Sequence, residues 1–355
     1  MAYIERARQK AEKLIGKRSA LILAVESSCD ETAVAVVRDG RKVLADRIAS
    51  QVDIHALYGG VVPEIASRMH VEALSVLYDQ ALKEAGIGKT EIDAVAVTFG
   101  PGLVGALLTG VSFAKALAYG LDVPLIPVNH IEGHVSANFI AHLELEPPFV
   151  CLVASGGHSH IVKVNRYGSY ELLGRTVDDA AGEAFDKVAR VLELPYPGGP
   201  LLDKLAETGD DSRYRFPAMH TQGKYDFSFS GLKTAVINQA HTIRQTGGSI
   251  DAADWAASFR KAVVDALLNK AFMAVKDAGA DKFALAGGVA SNLLLRREAE
   301  RRARAEGVKL YVPPARLCTD NAAMIGAAGF YRLMNGETAD LTLNAEPSVK
   351  LIEEE

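Results

Sequence analysis

The residues best suited to chemistry in this 355-residue chain are two histidines within NHIEGH. His130 and His134 stand at i and i+4, which on a helix puts them on one face about one turn apart. Two imidazoles so placed can hold one cation; the alternative is a pair of surface or capping histidines. The segment directly follows an apolar strand, and α/β sites collect at such strand ends. Glu132 is the central residue and Gly133 follows it, so the HExxH signature of a zinc protease is absent. A carboxylate would complete a two-histidine, one-carboxylate face with open positions for substrate or water. The segment CTDN supplies Asp320, just before a helix. An aspartate there also reads as a helix N-cap, and spacing does not choose between the two roles.

Glycine turns are the second chemical signal. SGGH (155–158) lies inside a hairpin, PGGP (197–200) precedes a helix and GGVASN (287–292) joins a strand to a helix. Such turns let backbone N–H groups approach phosphates closely, and together they suggest a nucleotide held between two domains. GPGLVG (100–105) matches the dinucleotide fingerprint, but the next strand ends in Asn129 and His130 rather than in an acid. It reads as a tight turn with close helix packing, not a nicotinamide site. Gly88-Lys89-Thr90 resembles the tail of a phosphate loop, but Lys83 stands where its first glycine is needed. DDAAGEAFDK (178–187) sets Asp179, Glu183 and Asp186 on one helix. This is either a solvated acidic face or, with Ala181, Gly182, Ala184 and Phe185 between them, a small-residue surface for a partner. FSFSGLKT (227–234), with Lys233, is a substrate loop or a turn between core segments. There is no GxSxG elbow, and Ser155 has no visible base, which argues against a serine acyl-enzyme.

These residues need elements to position them. Residues 21–37 and 149–164 follow one plan, an apolar run, a short turn and a second apolar run, which is a β-hairpin. Two halves opening alike imply a duplicated α/β unit with a cleft between the copies. Helices are expected at 63–86, 103–119, 179–193, 200–208, 251–278, 292–306 and 320–335, with strands at 94–99, 124–128, 282–286 and 309–313. Residues 209–232 read as turns. The alternation predicts a mainly parallel sheet with helices on both faces. The domains are expected at 20–148 and 149–335, the second with a helical insertion at about 179–250. A helical extension (1–19) precedes them, and an acidic tail (336–355) is expected to fray.

Composition bounds the rest. Apolar residues make up 49% and charged residues 23%, as in ordinary globular chains. The net charge of −5 supplies no global basic field, so an RNA partner needs a local basic patch or another protein. Cys29, Cys151 and Cys318 are far apart and show no CxxC, which reads as reduced cytosolic thiols. The first 18 residues lack the apolar core of a secretory signal, and Glu5 and Glu12 count against a transit peptide. No uninterrupted apolar run suggests a membrane span.

AVESSCDETAVAVV, TFGPGLVGALLTG, NHIEGHVSAN, VASGGHSHIV, TVDDAAGEAFDKVARVLELPYPGGP, FSFSGLKTAV, ALAGGVASNLLLR and CTDNAAMIG occur in this order from about residue 20 to residue 335. By these blocks the chain resembles the bacterial TsaD/Gcp family of tRNA N6-adenosine threonylcarbamoyltransferases. Its extension is longer than usual for the family, the 153–157 turn reads VASGG where VSGG is expected, and Ser291 stands where alanine is common.

The resemblance implies a duplicated actin-like (ASKHA, RNase-H-type) fold with a nucleotide and metal cleft. It implies transfer of threonylcarbamoyl from L-threonylcarbamoyl-AMP to the N6 amine of the adenosine at tRNA position 37, in tRNAs reading codons that start with A. The metal ligands carried over are His130, His134 and Asp320, for one divalent ion: Fe2+ first, Zn2+ or Mn2+ otherwise. The donor- or nucleotide-binding positions (for ATP, AMP or the acyl-adenylate) fall on Val153, Ala154, Ser155, Gly156, Gly157, Asp186, Gly199, Asp203 and Asn292. Implied partners are tRNA, a TsaB-like paralogue, a TsaE-like small ATPase and a threonylcarbamoyl-AMP synthase, in the cytoplasm. The rival readings are a metal-dependent glycoprotein endopeptidase and a sugar-kinase-like phosphotransferase with Asp179 or Asp186 as its base.

Overall fold

The computed structural model describes residues 3–219 and 221–352. Its elements run α1 (Tyr3–Lys17), β1 (Leu21–Glu26), β2 (Glu31–Arg38), β3 (Lys42–Ser50), α2 (Val52–Ala56), α3 (Pro63–Ala85), β4 (Ala94–Gly100), α4 (Val104–Leu121), β5 (Leu125–Asn129) and α5 (His130–Ala141). They continue with β6 (Phe149–Ala154), β7 (Ser159–Arg166), β8 (Ser169–Arg175), α6 (Ala181–Val191), α7 (Gly198–Ala206), α8 (Ser230–Gln245) and α9 (Ala252–Asp277). The last are β9 (Lys282–Ala286), α10 (Leu293–Glu306), β10 (Lys309–Tyr311) and α11 (Ala322–Met334).

The chain divides into two compact units. Unit 1 holds the residues up to Glu146, Arg166–Ser169 and everything from Thr319 on; unit 2 holds Pro147–Asn165 and Tyr170–Cys318. Residues 319–335, expected in the second domain, thus group with unit 1, as does the tail.

Each unit is built on one five-stranded sheet, ordered β3-β2-β1-β4-β5 in unit 1 and β8-β7-β6-β9-β10 in unit 2. The identical order is the duplication that the paired hairpins imply. The sheets are mixed, not mainly parallel. β1 pairs antiparallel with β2 and parallel with β4, and β6 does the same with β7 and β9. The missing strands were β3 and β8, whose half-buried patterns carry no clean alternation. The helix α8 lies within the expected helical insertion at 179–250 but has no individual assignment in the sequence. Its apolar face, Leu232, Val236 and Ala240, is thin among Ser, Thr, Gln and His.

The central strand LILAVE is buried along its whole length, as a strand covered on both faces must be. α11 packs on β1 and β2, and α3 and α4 pack on the same sheet. α3 starts with Pro63 at its first turn and ends at left-handed Gly86, whose N–H reaches the carbonyls of Leu82 and Lys83. α4 has the length and apolarity of a membrane span, contrary to the expectation of no such run. It sets Ala106, Leu107, Gly110, Val111, Ala114 and Ala118 into unit 1. In unit 2 the core gathers around Trp255, Phe259, Phe227 and Phe229. The two phenylalanines of FSFSGLKT are therefore core, and its SGLKT opens α8. α6 buries Ala181, Ala184, Phe185, Val188 and Ala189, so its small-residue face serves unit 2 itself and is no partner surface.

The tail does not fray through its described part. Ala339 N–H donates to Leu125 O at 2.8 Å, Glu346 N–H to Phe99 O at 2.8 Å and Gly102 N–H to Pro347 O at 3.1 Å. The last acidic residues, Glu353–Glu355, lie outside the described residues.

α5 and α11 pack closely, and Gly133 permits it. A Cβ on Gly133 would lie 2.6 Å from Ile325 Cδ1. Gly133→Val should overpack this contact and cost about 1–3 kcal/mol. Calorimetry should show a lower melting temperature; an unchanged one would show that the contact is slack.

Candidate functional site

The site in unit 1 begins at the end of β1. Glu26 is fully buried there, at the C-terminal edge of an apolar strand. Ser28 N–H donates to its Oε1 at 2.6 Å and the Thr98 hydroxyl, from β4, donates to Oε2 at 2.6 Å. His130 Nδ1 lies 3.2 Å from the same Oε2. Burial alone would push the Glu26 carboxyl up, but the adjoining His130 outweighs it and holds the carboxyl below its ordinary range. Burial would lower His130 in turn, yet the carboxylates of Asp320 and Glu26 prevail and raise it to about 9.

This pairing orients the ring. With Nδ1 turned to Glu26, Nε2 points toward Asp320, whose Oδ1 is 3.6 Å away. His134 follows one turn later, packed edge-to-face against His130 with ring centroids 4.6 Å apart. It is fully buried, and neither of its ring nitrogens makes a hydrogen bond among the described residues. Its Nε2 sits 3.3 Å from Asp320 Oδ1, close but outside hydrogen-bonding geometry. One ligand atom from each of the three residues falls within 4.8 Å of the others.

Asp320 is not the cap of α11. Asn321 takes that role, its side chain accepting from Met324 N–H at 2.9 Å. Asp320 is left to face the imidazoles, with its side chain 23% exposed, which leaves an open side. Glu132, the remaining acid of HIEGH, is buried and paired with Arg332 at 2.8 Å, so it belongs to the packing.

The donor set suits a divalent cation. Bonds of about 2.0–2.2 Å place neighbouring ligands roughly 3–3.5 Å apart, close to the 3.6 and 3.3 Å from Asp320 Oδ1 to the two imidazoles. A buried imidazole nitrogen without a partner costs about 1–3 kcal/mol, and a cation on His134 Nε2 would remove that cost. Glu26, Ser28 and Thr98 were not singled out from the sequence. The one available signal was a glutamate closing an otherwise apolar strand. Asn129 was noted only as a strand end. Its Oδ1 accepts from Ile131 N–H at 2.9 Å and its Nδ2 donates to Lys350 O at 3.2 Å, tying the start of α5 to the tail.

The remaining candidates lie in unit 2. Val153 and Ala154 end β6, buried, and Ser155, Gly156 and Gly157 form the turn into β7. Gly156 and Gly157 are exposed. The start of α6 rests on this turn, with Gly182 N–H on Ser155 O at 3.1 Å and Glu183 N–H on Gly156 O at 3.1 Å. Gly287, with φ +85°, lies against Ala154, where a Cβ would come 2.4 Å from its carbonyl oxygen. Asp186 Oδ1 accepts from Gly199 N–H at 2.9 Å. Asp203 Oδ1 accepts from Asn292 Nδ2 and from Arg260 Nη1, both at 2.8 Å, and its Oδ2 accepts from Leu293 N–H at 3.0 Å. Asp186 with Gly199 and Asp203 with Asn292 are thus two bonded pairs. Asp179 is clamped by Lys187 and Lys233. Burial raises its carboxyl, but the two lysines outweigh this and hold it below the usual range.

Two measurements test this geometry. Glu26→Gln should weaken divalent-metal binding about 10–100-fold, because the group that orients a metal-binding histidine is lost. Titration calorimetry reads this, and equal affinity would separate Glu26 from the metal. On β7, burial and then the charge of Arg175 push His160 down to about 4. In the unfolded chain it titrates near 6.5. Its contribution is complete above pH 6.5 and is lost as pH falls toward 4, by about 3 kcal/mol. Denaturant unfolding should show this loss in the wild type and not in His160→Gln.

Comparison with known proteins places the chain. The family profile "TsaD: tRNA N6-adenosine threonylcarbamoyltransferase" matches residues 42–327. A tRNA N6-adenosine threonylcarbamoyltransferase of Clostridium perfringens is 55% identical over 332 residues, covering 93% of this chain and 98% of that protein. Those of Clostridioides difficile and Caldicellulosiruptor saccharolyticus are 53% and 52% identical, each covered over 98% of its length by 93% and 94% of this chain. Among solved structures, HypF of T. kodakarensis aligns with a TM-score of 0.59 at 17% identity, over 89% of this chain and 48% of HypF. That likeness is one of fold, the duplicated actin-like architecture. The chain belongs to the tRNA N6-adenosine threonylcarbamoyltransferase family.

Proposed function

We propose that this chain transfers the threonylcarbamoyl group of L-threonylcarbamoyl-AMP to the N6 amine of the adenosine beside the tRNA anticodon. The observation that carries the reading is His130, His134 and Asp320 in ligand geometry, in a chain of this family. In the reaction the amine nitrogen bonds to the carbamoyl carbon, the acyl–phosphate bond breaks, AMP leaves and the amine gives up a proton. A bound divalent ion, Fe2+ by first choice with Zn2+ or Mn2+ as others, supplies Lewis-acid stabilisation of charge developing on the donor's oxygens.

The protein's part is positioning. Glu26 holds His130 with Nε2 turned toward Asp320, and Asn321 relieves Asp320 of capping duty. In unit 2 the turns at 155–157 and 287–288 offer backbone N–H groups to the adenylate phosphate, as glycine turns can. Asp186 fixes Gly199, and Asp203 fixes Asn292 and the start of α10, so these residues hold the nucleotide-binding backbone. AMP is a good leaving group and needs no covalent intermediate on the enzyme. A kinase-like base is not favoured, because Asp179 is held by two lysines and Asp186 by Gly199 N–H. A protease base in HIEGH is not favoured, because Glu132 is held by Arg332.

The TsaB-like and TsaE-like partners and the separate donor synthase follow from the family reading, as does a cytoplasmic setting. His130→Ala and Asp320→Ala should each abolish transfer of labelled threonine to tRNA, with loss of bound metal by elemental analysis. Full transfer by either variant would end the metal-centred reading.

A further inference from the structure

The chain is acidic, but its charge is unevenly placed. The first 18 residues carry six Lys or Arg against two Glu, a net +4 in a chain of net −5. Tyr3–Lys17 of this stretch form α1, which is anchored in unit 1. Tyr3, Ala7, Ala11 and Leu14 are buried, and the Tyr3 hydroxyl donates to Val123 O at 2.8 Å. Arg6 and Lys10 pair with Asp122 at 2.9 and 3.1 Å. The other flank is different. Lys10, Lys13 and Lys17 line a concavity of about 520 Å³ over Leu14, and Lys89 joins them from the turn after α3. Lys13, Lys17 and Lys89 are exposed and make no ion pair among the described residues. Asp93 also lines the wall, but its Oδ2 accepts from Leu21 N–H at 2.8 Å.

We propose that α1 and Lys89 form a docking patch for RNA phosphates, which holds the body of the tRNA while its anticodon loop reaches the metal. The inference rests on tRNA being the acceptor. Lys10 to Lys17 spans about 10 Å of helix, longer than one phosphate and suited to a row of them. Lysines act as mobile point charges, which fits a polyanion better than one small anion gripped in fixed geometry. An anionic membrane is the lesser fit, since a surface-lying helix must insert its apolar face and that of α1 is already inside unit 1. The patch adjoins the start of β1 through Asp93 and Leu21, and the metal ligands adjoin its end through Glu26. The five residue steps from Leu21 to Glu26 separate them by about 17 Å, so the phosphates held are remote from the reacting adenosine.

The test compares the full-length chain with Lys13→Glu/Lys17→Glu/Lys89→Glu and with the milder triple glutamine variant. Binding to tRNA is measured over a series of salt concentrations, alongside melting temperature, metal content and adsorption to phosphatidylserine vesicles. The charge reversal should weaken tRNA binding at least about tenfold near 0.1 M salt and flatten the salt dependence by about one per lysine. The glutamine variant should fall between, and melting temperature and metal content should stay put. Unchanged tRNA affinity and salt slope, with wild-type transfer activity intact, would overturn the patch and leave the function standing. Loss of vesicle adsorption without loss of tRNA binding would overturn it in favour of a membrane. A wild-type chain that neither binds nor modifies tRNA would overturn both readings.

Discussion

The unit 1 site depends on a buried negative charge that must be answered. Glu26 has no solvent, so its ionised carboxylate persists only because Ser28 N–H, the Thr98 hydroxyl and His130 surround it. Removing one partner from such a group leaves an uncompensated charge in a poorly polarisable interior. The same requirement fixes three pieces of backbone at once: the end of β1, the end of β4 and the first turn of α5. His130 is thereby held in one orientation before any ligand arrives. A metal-binding histidine whose ring is already turned needs no reorganisation when the ion binds, which is the usual effect of such outer partners.

What the sequence disclosed follows from which interactions leave a pattern in it. The hairpins were legible because β1–β2 and β6–β7 are apolar runs separated by short turns. The histidine pair was legible because helical spacing is a one-dimensional rule. Asp320 was ambiguous because a ligand and a cap look alike before a helix; the ambiguity ends at Asn321, which makes the cap bond one residue later. Glu26 left almost no pattern, since its partners come from Ser28, Thr98 and His130, up to 104 positions away. The tail left none, because it is held largely through backbone groups, such as Glu346 N–H on Phe99 O, that any residue possesses. β3, β8 and α8 were lost for a different reason: each buries too little apolar surface to show its period.

Several residues that look chemical in the sequence are packing residues in the fold, and the reverse also holds. Glu132 sits between two candidate ligands yet answers Arg332. The acids of DDAAGEAFDK separate on inspection: Asp179 is neutralised by two lysines, Glu183 pairs with Lys187 and Asp186 accepts from Gly199 N–H. Asp203 stands out in the sequence only through the family resemblance, and Arg260 not at all. Together they form a buried ion pair that reaches Asn292, so the start of α10 is set by α7 and α9. In unit 2 the carried-over residues divide by role. Gly156 and Gly157 stand exposed in their turn, while Asp186 and Asp203 accept from the backbone N–H groups of Gly199 and Leu293.

The order of the chain adds a constraint on how the metal group can form. His130 and His134 come from the first half, whereas Asp320 stands two residues into the segment from Thr319 onward that returns to unit 1 after all of unit 2. That segment also supplies α11, which packs against α5, β1 and β2. Until it docks, α5 lacks the surface that buries His134, and Glu26 and His130 lack a covered sheet face. The donor group is therefore the product of a long-range closure. Closing a long loop costs only slowly more with length, and the apolar surface of α11 is the force available to hold it closed. The three ligands can meet only once the last part of the chain has packed onto the first. Binding of a cation by these three residues would thus be linked to the completion of unit 1, as expected where a site does not exist in the unfolded chain.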